Sequence, residues 1–229
     1  MARIRFILVA MAVLGGLSSP VFAGDIIDRI VATVNRDVIL QSDWDDEVRY
    51  EAFVGGRPLD HVTSEDRKSA LDRLIDQALL REQTHPAIAS PAPVKEIERR
   101  ITEARQQFAG ADTARGWNDL LQRYGLTQAG LEARVAAQIE LMQLVEDRLR
   151  PTVSIDAKTI ESYYNQELLP QLRQAGAQDV PLAQVTTQIK ELLTQQKVNQ
   201  MLSAWLHSLR AGSEIHTETP AQDSQGMAR

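Results

Sequence analysis

The residues with chemistry to offer are scattered along the chain. The four histidines, His61, His85, His207 and His216, form no i, i+4 pair and no His-Glu-x-x-His run, so the spacing that holds zinc on one helix face is missing. No serine sits in a Gly-x-Ser-x-Gly elbow, and neither common glycine-rich phosphate loop occurs. Cysteine is absent from the sequence, which removes thiol catalysis, disulfides and Cys-ligated zinc. Tyr163 and Tyr164 lie near Glu161 and Glu167 without a recognisable acid–base partner. The densest acidic group, Asp43, Asp45, Asp46 and Glu47, has two readings. A cation site is one, although the Asp/Asn ladder, Gly turn and closing Glu of a calcium loop are missing. The first turn of a helix is the other, favoured by position, because carboxylates there complement the positive end of the helix dipole. These residues assign no catalytic, cofactor-binding or metal-binding role, and the chain reads as a non-enzyme.

The elements that would position any site are mostly helical. Leu, Ala, Gln, Glu and Arg dominate and aromatics make up only 5%, a mix suited to helices. The opening is the exception. Asp28 to Val34 alternates, Asn35-Arg36-Asp37 is a turn cluster, and Val38 to Leu40 resumes an extended apolar run. This predicts a hairpin, which must pack on helices or find another strand because two strands alone are marginal in water.

Ser42 is the expected N-cap of a helix to Phe53, broken by Gly55-Gly56-Arg57-Pro58. Thr63 or Ser64 then caps a helix to Gln83 with Leu71, Leu74, Ile75, Ala78 and Leu79 as its apolar stripe. Past the Pro-rich stretch 85–93, a third helix starts at Pro93 or Val94, carries Ile97, Ile101 and Ala104, and ends near Gly110. A fourth runs from Gly116 to Tyr124 with Trp117, Leu120 and Leu121 inward. Thr127 caps a fifth with Leu131, Val135, Ile139, Met142, Val145 and Leu149, which Pro151 ends. Ser154 caps a sixth, and after a polar link around Gly176 a last helix of about 45 Å spans Pro181 to Arg210. Its stripe is Leu182, Val185, Ile189, Leu192, Met201, Trp205 and Leu209, and 213–217 is a candidate closing strand. Stripes at helical spacing are core first, so Trp117 and Trp205 are expected to pack.

The N-terminus speaks to compartment. Arg3 and Arg5 precede an apolar run from Phe6 to Leu17, and Ser18 to Ala23 offers small residues at a cleavage site. That is the layout of a secretory signal peptide cut after Ala23. The competing readings are a membrane anchor or a buried helix, but the run falls short of the roughly 20 residues a bilayer needs. With no Cys to lipidate, stable membrane insertion is not expected. The net charge of −6 becomes roughly −8 without the leader, and no basic cluster exists, which disfavours nucleic acid and anionic lipid surfaces.

Read together, three stretches resemble the N-terminal chaperone region of SurA-type periplasmic proteins: DRIVATVNRDVILQSD (Asp28 to Asp43), LDRLIDQALLREQ (Leu71 to Gln83), and the run from Tyr124 to Tyr164. Pro181 to Thr217 is similar to the segment that, in that family, returns after the isomerase domain to complete the module. The resemblance implies a mostly α fold with a short N-terminal β-hairpin and a long C-terminal helix plus short strand packing back on it. Residues 1–23 would be the leader and 24–217 one module. Within it, 24–164 is the N-terminal block, 165–180 a linker in place of the isomerase, and 181–217 the returning block; 218–229 would be a disordered tail. The implied activity is ATP-independent holding of unfolded outer-membrane or exported polypeptides in the periplasm, without cofactors. Relatives carry parvulin-type isomerase domains between the two blocks. Here only about a dozen residues remain there, far below the roughly 40 needed to build a core unaided, so no catalytic residue carries over. A prolyl isomerase with a diverged site and a dedicated assembly partner of one exported protein stand as alternatives. Candidate client contacts are apolar residues off the main stripes: Phe53 and Val54 beside the Gly-Gly break, Tyr124, Leu141 and Leu144.

Overall fold

A computed structural model describes residues 28–83 and 91–218. The expected leader, His85 and the expected tail beyond Glu218 lie outside them. The hairpin forms as expected, from β1 (Ile30–Val34) and β2 (Asp37–Leu40), with Val34 opposite Asp37, Thr33 opposite Val38 and Ala32 opposite Ile39. Asn35 reverses the chain with φ 53°, in the left-handed region that Asn enters more readily than most residues. Its amide donates to Glu82 Oε2 at 2.6 Å and Ser213 Oγ at 3.2 Å, and its Oδ1 accepts from the Glu214 N–H at 2.9 Å. The pairing slips between Ile30 and Ala32. An extra residue breaks the alternation of faces, so Val31 and Ala32 are both buried.

The closing strand exists. β3 (Ile215–Thr217) runs antiparallel to β1 on its other side, giving the order β2-β1-β3. The last strand in sequence therefore completes the sheet that the first one starts.

Between them the helices follow the expected order, with revised ends. β2 runs into α1 (Gln41–Val54) without a loop, so the cap falls two residues ahead of the expected Ser42. The cap position is Leu40, whose N–H donates to Asp43 Oδ2 at 3.0 Å, while the Ser42 N–H and hydroxyl both donate to the Asp28 carboxylate. Thr63 does cap α2 (Ser64–Glu82), accepting from the Asp66 N–H as the Asp66 carboxylate accepts from the Thr63 N–H. α3 (Val94–Gln106) stops short of Gly110, and α4 (Ala114–Arg123) begins ahead of Gly116 because Thr113 caps it. α5 (Gln128–Leu149) has the expected Thr127 cap. α6 (Ala157–Tyr163) is capped by Asp156, which accepts from the Thr159 N–H at 2.7 Å, and not by Ser154.

The stretch 165–180 differs most from expectation. Helix continues through a π turn, Tyr164–Leu168, into α7 (Leu169–Gln174), and non-helical chain begins only at Ala175. Pro170 has no N–H to offer the carbonyl one turn back and its ring crowds that carbonyl, so the helix widens ahead of it. Tyr164 Oη donates to the Val180 carbonyl at 2.7 Å, folding the following loop back before α8 (Leu182–Gly212).

Three apolar clusters hold these parts. Val31, Ala32, Val34 and Ile39 of the sheet meet Trp44 and Val48 of α1 and Leu74, Ile75, Ala78 and Leu79 of α2, with Leu209 and Ile215 added from the C-terminal segment. Phe53, Trp117, Leu120, Leu121, Tyr124, Leu131, Val135 and Ile139 join α1, α4 and α5, and α3 adds Ile101. Leu80, Val145, Leu149 and Val198 join α2, α5 and α8, with Trp205 partly buried against them. Thus Trp117 is core and Trp205 half core. Met142 and Leu192, placed on stripes by spacing, are 38% and 43% exposed, although residues on either side of them in the same helices are buried. The architecture is mostly α, with a small sheet at one end.

Candidate functional site

A groove of about 690 Å³ opens between β2, α2 and α5. Asp37, Val38 and Ile39 form its strand side, Leu74, Gln77, Ala78 and Arg81 come from α2, and Gly130, Arg134, Ala137, Gln138, Glu140, Leu141 and Leu144 line the α5 wall. Asp43 and Glu47 of α1 complete the lining. Each element presents these residues for a simple reason. The inward stripe of α5, from Leu131 to Val145, faces the two cores, which leaves the row Arg134, Ala137, Leu141, Leu144 at i, i+3, i+4 spacing along the adjacent face. β2 is an outer strand of the sheet and contributes its side to the opening.

One lining residue is a buried charge. Glu47 is 3% exposed, and Arg134 Nη1 lies 2.6 Å from its Oε2. The same guanidinium donates to the Asp46 carbonyl at 3.2 Å and stands 5.0 Å over the Tyr50 ring. Tyr50 in turn donates to Gln138 Oε1 at 2.8 Å. Burial raises the Glu47 carboxyl above the usual glutamate range, and the Arg134 and Arg73 charges pull it part of the way back. Burial also raises the Tyr50 phenol, with the Glu47 charge adding to it. This set ties α1 to α5 through polar contacts that a low-dielectric surrounding strengthens.

The acidic first turn of α1 is thereby resolved residue by residue. Asp43 caps Leu40, Asp45 pairs with Arg67 at 2.6 Å, Asp46 pairs with Arg49, and Glu47 faces inward to Arg134. No group of metal-ligating side chains converges among the described residues. The groove lining contains no hydroxyl, thiol, imidazole or amine nucleophile. What it offers is apolar surface from Ala137, Leu141 and Leu144, backed by the buried Leu74 and Ala78, among the carboxylates Asp37, Asp43, Glu47 and Glu140 and the cations Arg81 and Arg134. A smaller hollow of about 380 Å³ lies against Tyr163, Glu167 and Leu193.

The expected client residues separate into two sets. Leu141 and Leu144 line the groove, half-buried, and Val54 is 47% exposed at the end of α1. Phe53 and Tyr124 are instead core. Phe53 has no exposed surface and stacks on Phe108 at 5.2 Å with Trp117 and Tyr124 edge-on. Tyr124 is 7% exposed, and its hydroxyl donates to the Arg57 carbonyl at 3.0 Å. They sit beside Gly turns in sequence, and those turns stay exposed, but the two rings pack inward with Phe108, Trp117 and Ile101. Arg134, Gln138 and Val38 carried no sequence signal for the groove. Glu47 did: it falls three residues from Trp44 and from Tyr50, on the apolar face of α1.

No helix among the described residues is long and apolar enough to cross a membrane. The family model of the SurA-like N-terminal domain matches residues 1–145. That match ends inside α5, so the α5 wall of the groove falls within it, whereas α8 and β3 lie beyond. No curated protein matches the chain.

Proposed function

The chain belongs to the SurA-like N-terminal domain family, and on that premise we propose that it is a periplasmic, ATP-independent chaperone that holds unfolded outer-membrane or other exported polypeptides. The family's role is chaperone-like and its N-terminal domain is the non-catalytic module. The observation that carries the reading is the groove itself: apolar side chains open to solvent among carboxylates and two arginines, with no hydroxyl, thiol, imidazole or amine nucleophile in the lining. Apolar burial contributes about 25 cal/mol per Å², so a few hundred Å² of client surface gives useful affinity. Weak, adaptable contacts also release without fuel. Leu141 and Leu144 are the client contacts in this reading, with Val54 as an outlying one. Residues 1–23 act as the export leader, and 24–217 as one module in which β3 and α8 return to the opening sheet and to α2 and α5.

The test is light scattering of an unfolded outer-membrane protein diluted from urea with and without the purified chain. Equimolar protein is expected to suppress aggregation, and Leu141→Lys with Leu144→Lys to abolish most of that effect while far-UV circular dichroism is unchanged. Aggregation that proceeds at the same rate with the wild-type protein present sinks the reading.

A further inference from the structure

The free side of β2 has a property that the apolar wall alone does not explain. On the other side of the sheet, Asn35 N–H donates to the Glu214 carbonyl at 2.8 Å and Glu218 N–H to the Val31 carbonyl at 2.9 Å. Main-chain groups of odd-numbered β1 residues therefore face β3, and Thr33, opposite His216, faces it too. By alternation, Ala32 and Val34 bond to Ile39 and Asp37 across β2. Val38, opposite Thr33, must then direct its N–H and C=O away from β1. Val38 also lines the groove, which meets β2 but neither of the other strands, so the open edge and the groove share this residue. At the next position the edge is closed: Leu40 N–H is taken by Asp43 and Gln41 N–H by the Arg29 carbonyl at 2.7 Å.

We propose that this edge receives an extended polypeptide as a fourth strand, hydrogen-bonded to Val38, with alternate side chains against Leu141 and Leu144 and basic neighbours beside the carboxylates of the lining. The reading rests on the chaperone function and specifies its mode of binding. A main-chain donor and acceptor at strand spacing select backbone, which every polypeptide has, so the site is tolerant of sequence. Val38 is itself 49% exposed, leaving room for a neighbour. Charge selects the class of segment. The lining holds four carboxylates, Asp37, Asp43, Glu47 and Glu140, against two cations, Arg81 and Arg134, with Arg134 paired to Glu47, and the whole chain carries −6. Shortness of β2, four residues, and Asp37 at its start keep the empty edge from templating aggregation.

The test uses a fluorescent peptide of about ten residues alternating apolar residues with lysine, the same peptide N-methylated at alternate amides, and a glutamate counterpart. Anisotropy with the full chain is expected to show binding to the first. N-methylation removes the peptide donor to the Val38 carbonyl and sets a methyl group against the edge, so the N-methylated form should bind about tenfold more weakly, and the glutamate form should be weaker again at low salt. Slowed hydrogen exchange at the Val38 amide on peptide addition is the direct signature, and Val38→Pro, tolerated on an edge strand, should reproduce the N-methyl effect with unchanged circular dichroism. Equal affinity of the N-methylated peptide, an unprotected Val38 amide, or a preference for the acidic peptide overturns the proposal while leaving aggregation suppression, and hence the chaperone reading, intact. Edge protection by a second copy, seen as a concentration-dependent dimer that Val38→Pro dissolves, also overturns it. Peptide binding at Val38 without aggregation suppression defeats the chaperone reading alone.

Discussion

Arg134 of α5 reaches Glu47 of α1 with 2.6 Å between Nη1 and Oε2, and this contact joins two of the elements that line the groove. The carboxylate is almost wholly buried and the guanidinium about one quarter exposed. Removing the cation leaves an uncompensated buried charge, which costs about 3 kcal/mol or more. Arg134→Met is therefore expected to lower the urea midpoint sharply at pH 7. Because burial raises the Glu47 carboxyl, the loss should shrink as pH is lowered and the carboxylate takes up a proton, and Glu47→Gln in the same background should restore much of it.

Stability against pH follows from carboxyls shifted in opposite directions. Glu47 is raised by burial, so the folded chain binds its proton more tightly than the unfolded one. Its contribution is fully present below the ordinary value of 4.5 and is lost as pH rises through the folded value. Asp66 is held down to about 2 by the Thr63 N–H and then Arg57, and Glu96 to about 2 by Arg99 and Arg100. Their contributions are present above the ordinary carboxyl range and disappear as pH falls toward 2. Thermal melts are expected to peak in mildly acidic buffer and fall steeply below pH 4, with Glu47→Gln flattening the neutral limb only. A melting temperature that rises steadily from pH 5 to pH 8 contradicts this assignment.

Phe53 and Val54 are neighbours with opposite fates. Phe53→Ala empties the aromatic cluster around Phe108, Trp117 and Tyr124 and is expected to cost about 3–5 kcal/mol. Val54→Ser removes an exposed side chain and should stay within about 0.5 kcal/mol. Chemical denaturation measures both. A Phe53→Ala protein of near-native stability that loses only client binding would return this residue to the binding surface.

Arg210 fastens the returning segment. Its Nε donates to Asp76 Oδ1 at 2.7 Å and its Nη2 to the Asp72 carbonyl at 2.8 Å, joining the end of α8 to α2. The site is partly exposed, so Arg210→Ala is expected to cost only about 1 kcal/mol globally. Local opening should change more: hydrogen exchange in β3 and the last turns of α8 is expected to quicken, with the α3–α4 region unaffected. Uniform quickening across the chain would show that the contact is not a local fastener.

Much of this architecture was legible along the chain because local physics writes it there. Alternation over Ile30 to Val34 and the Asn35-Arg36 turn specify a hairpin whatever lies beside it, Thr63 and Thr127 cap helices by their own hydroxyls, and the Leu74, Ile75, Ala78 row marks a face that must be covered. Caps failed where a neighbour competed: Ser42 is held by Asp28, and Asp156 lies closer to its helix than Ser154 does. Which covered face meets which is a matter of long-range packing, and no local pattern reports it. Burial of Phe53 and Tyr124 with Phe108, Trp117 and Ile101, the pairing of Glu47 with an arginine from another helix, and the return of β3 to leave β2 as the open edge were decided only when separate stripes closed on one another. The groove follows from that closure, because its walls come from four elements and no single segment carries more than one side of it.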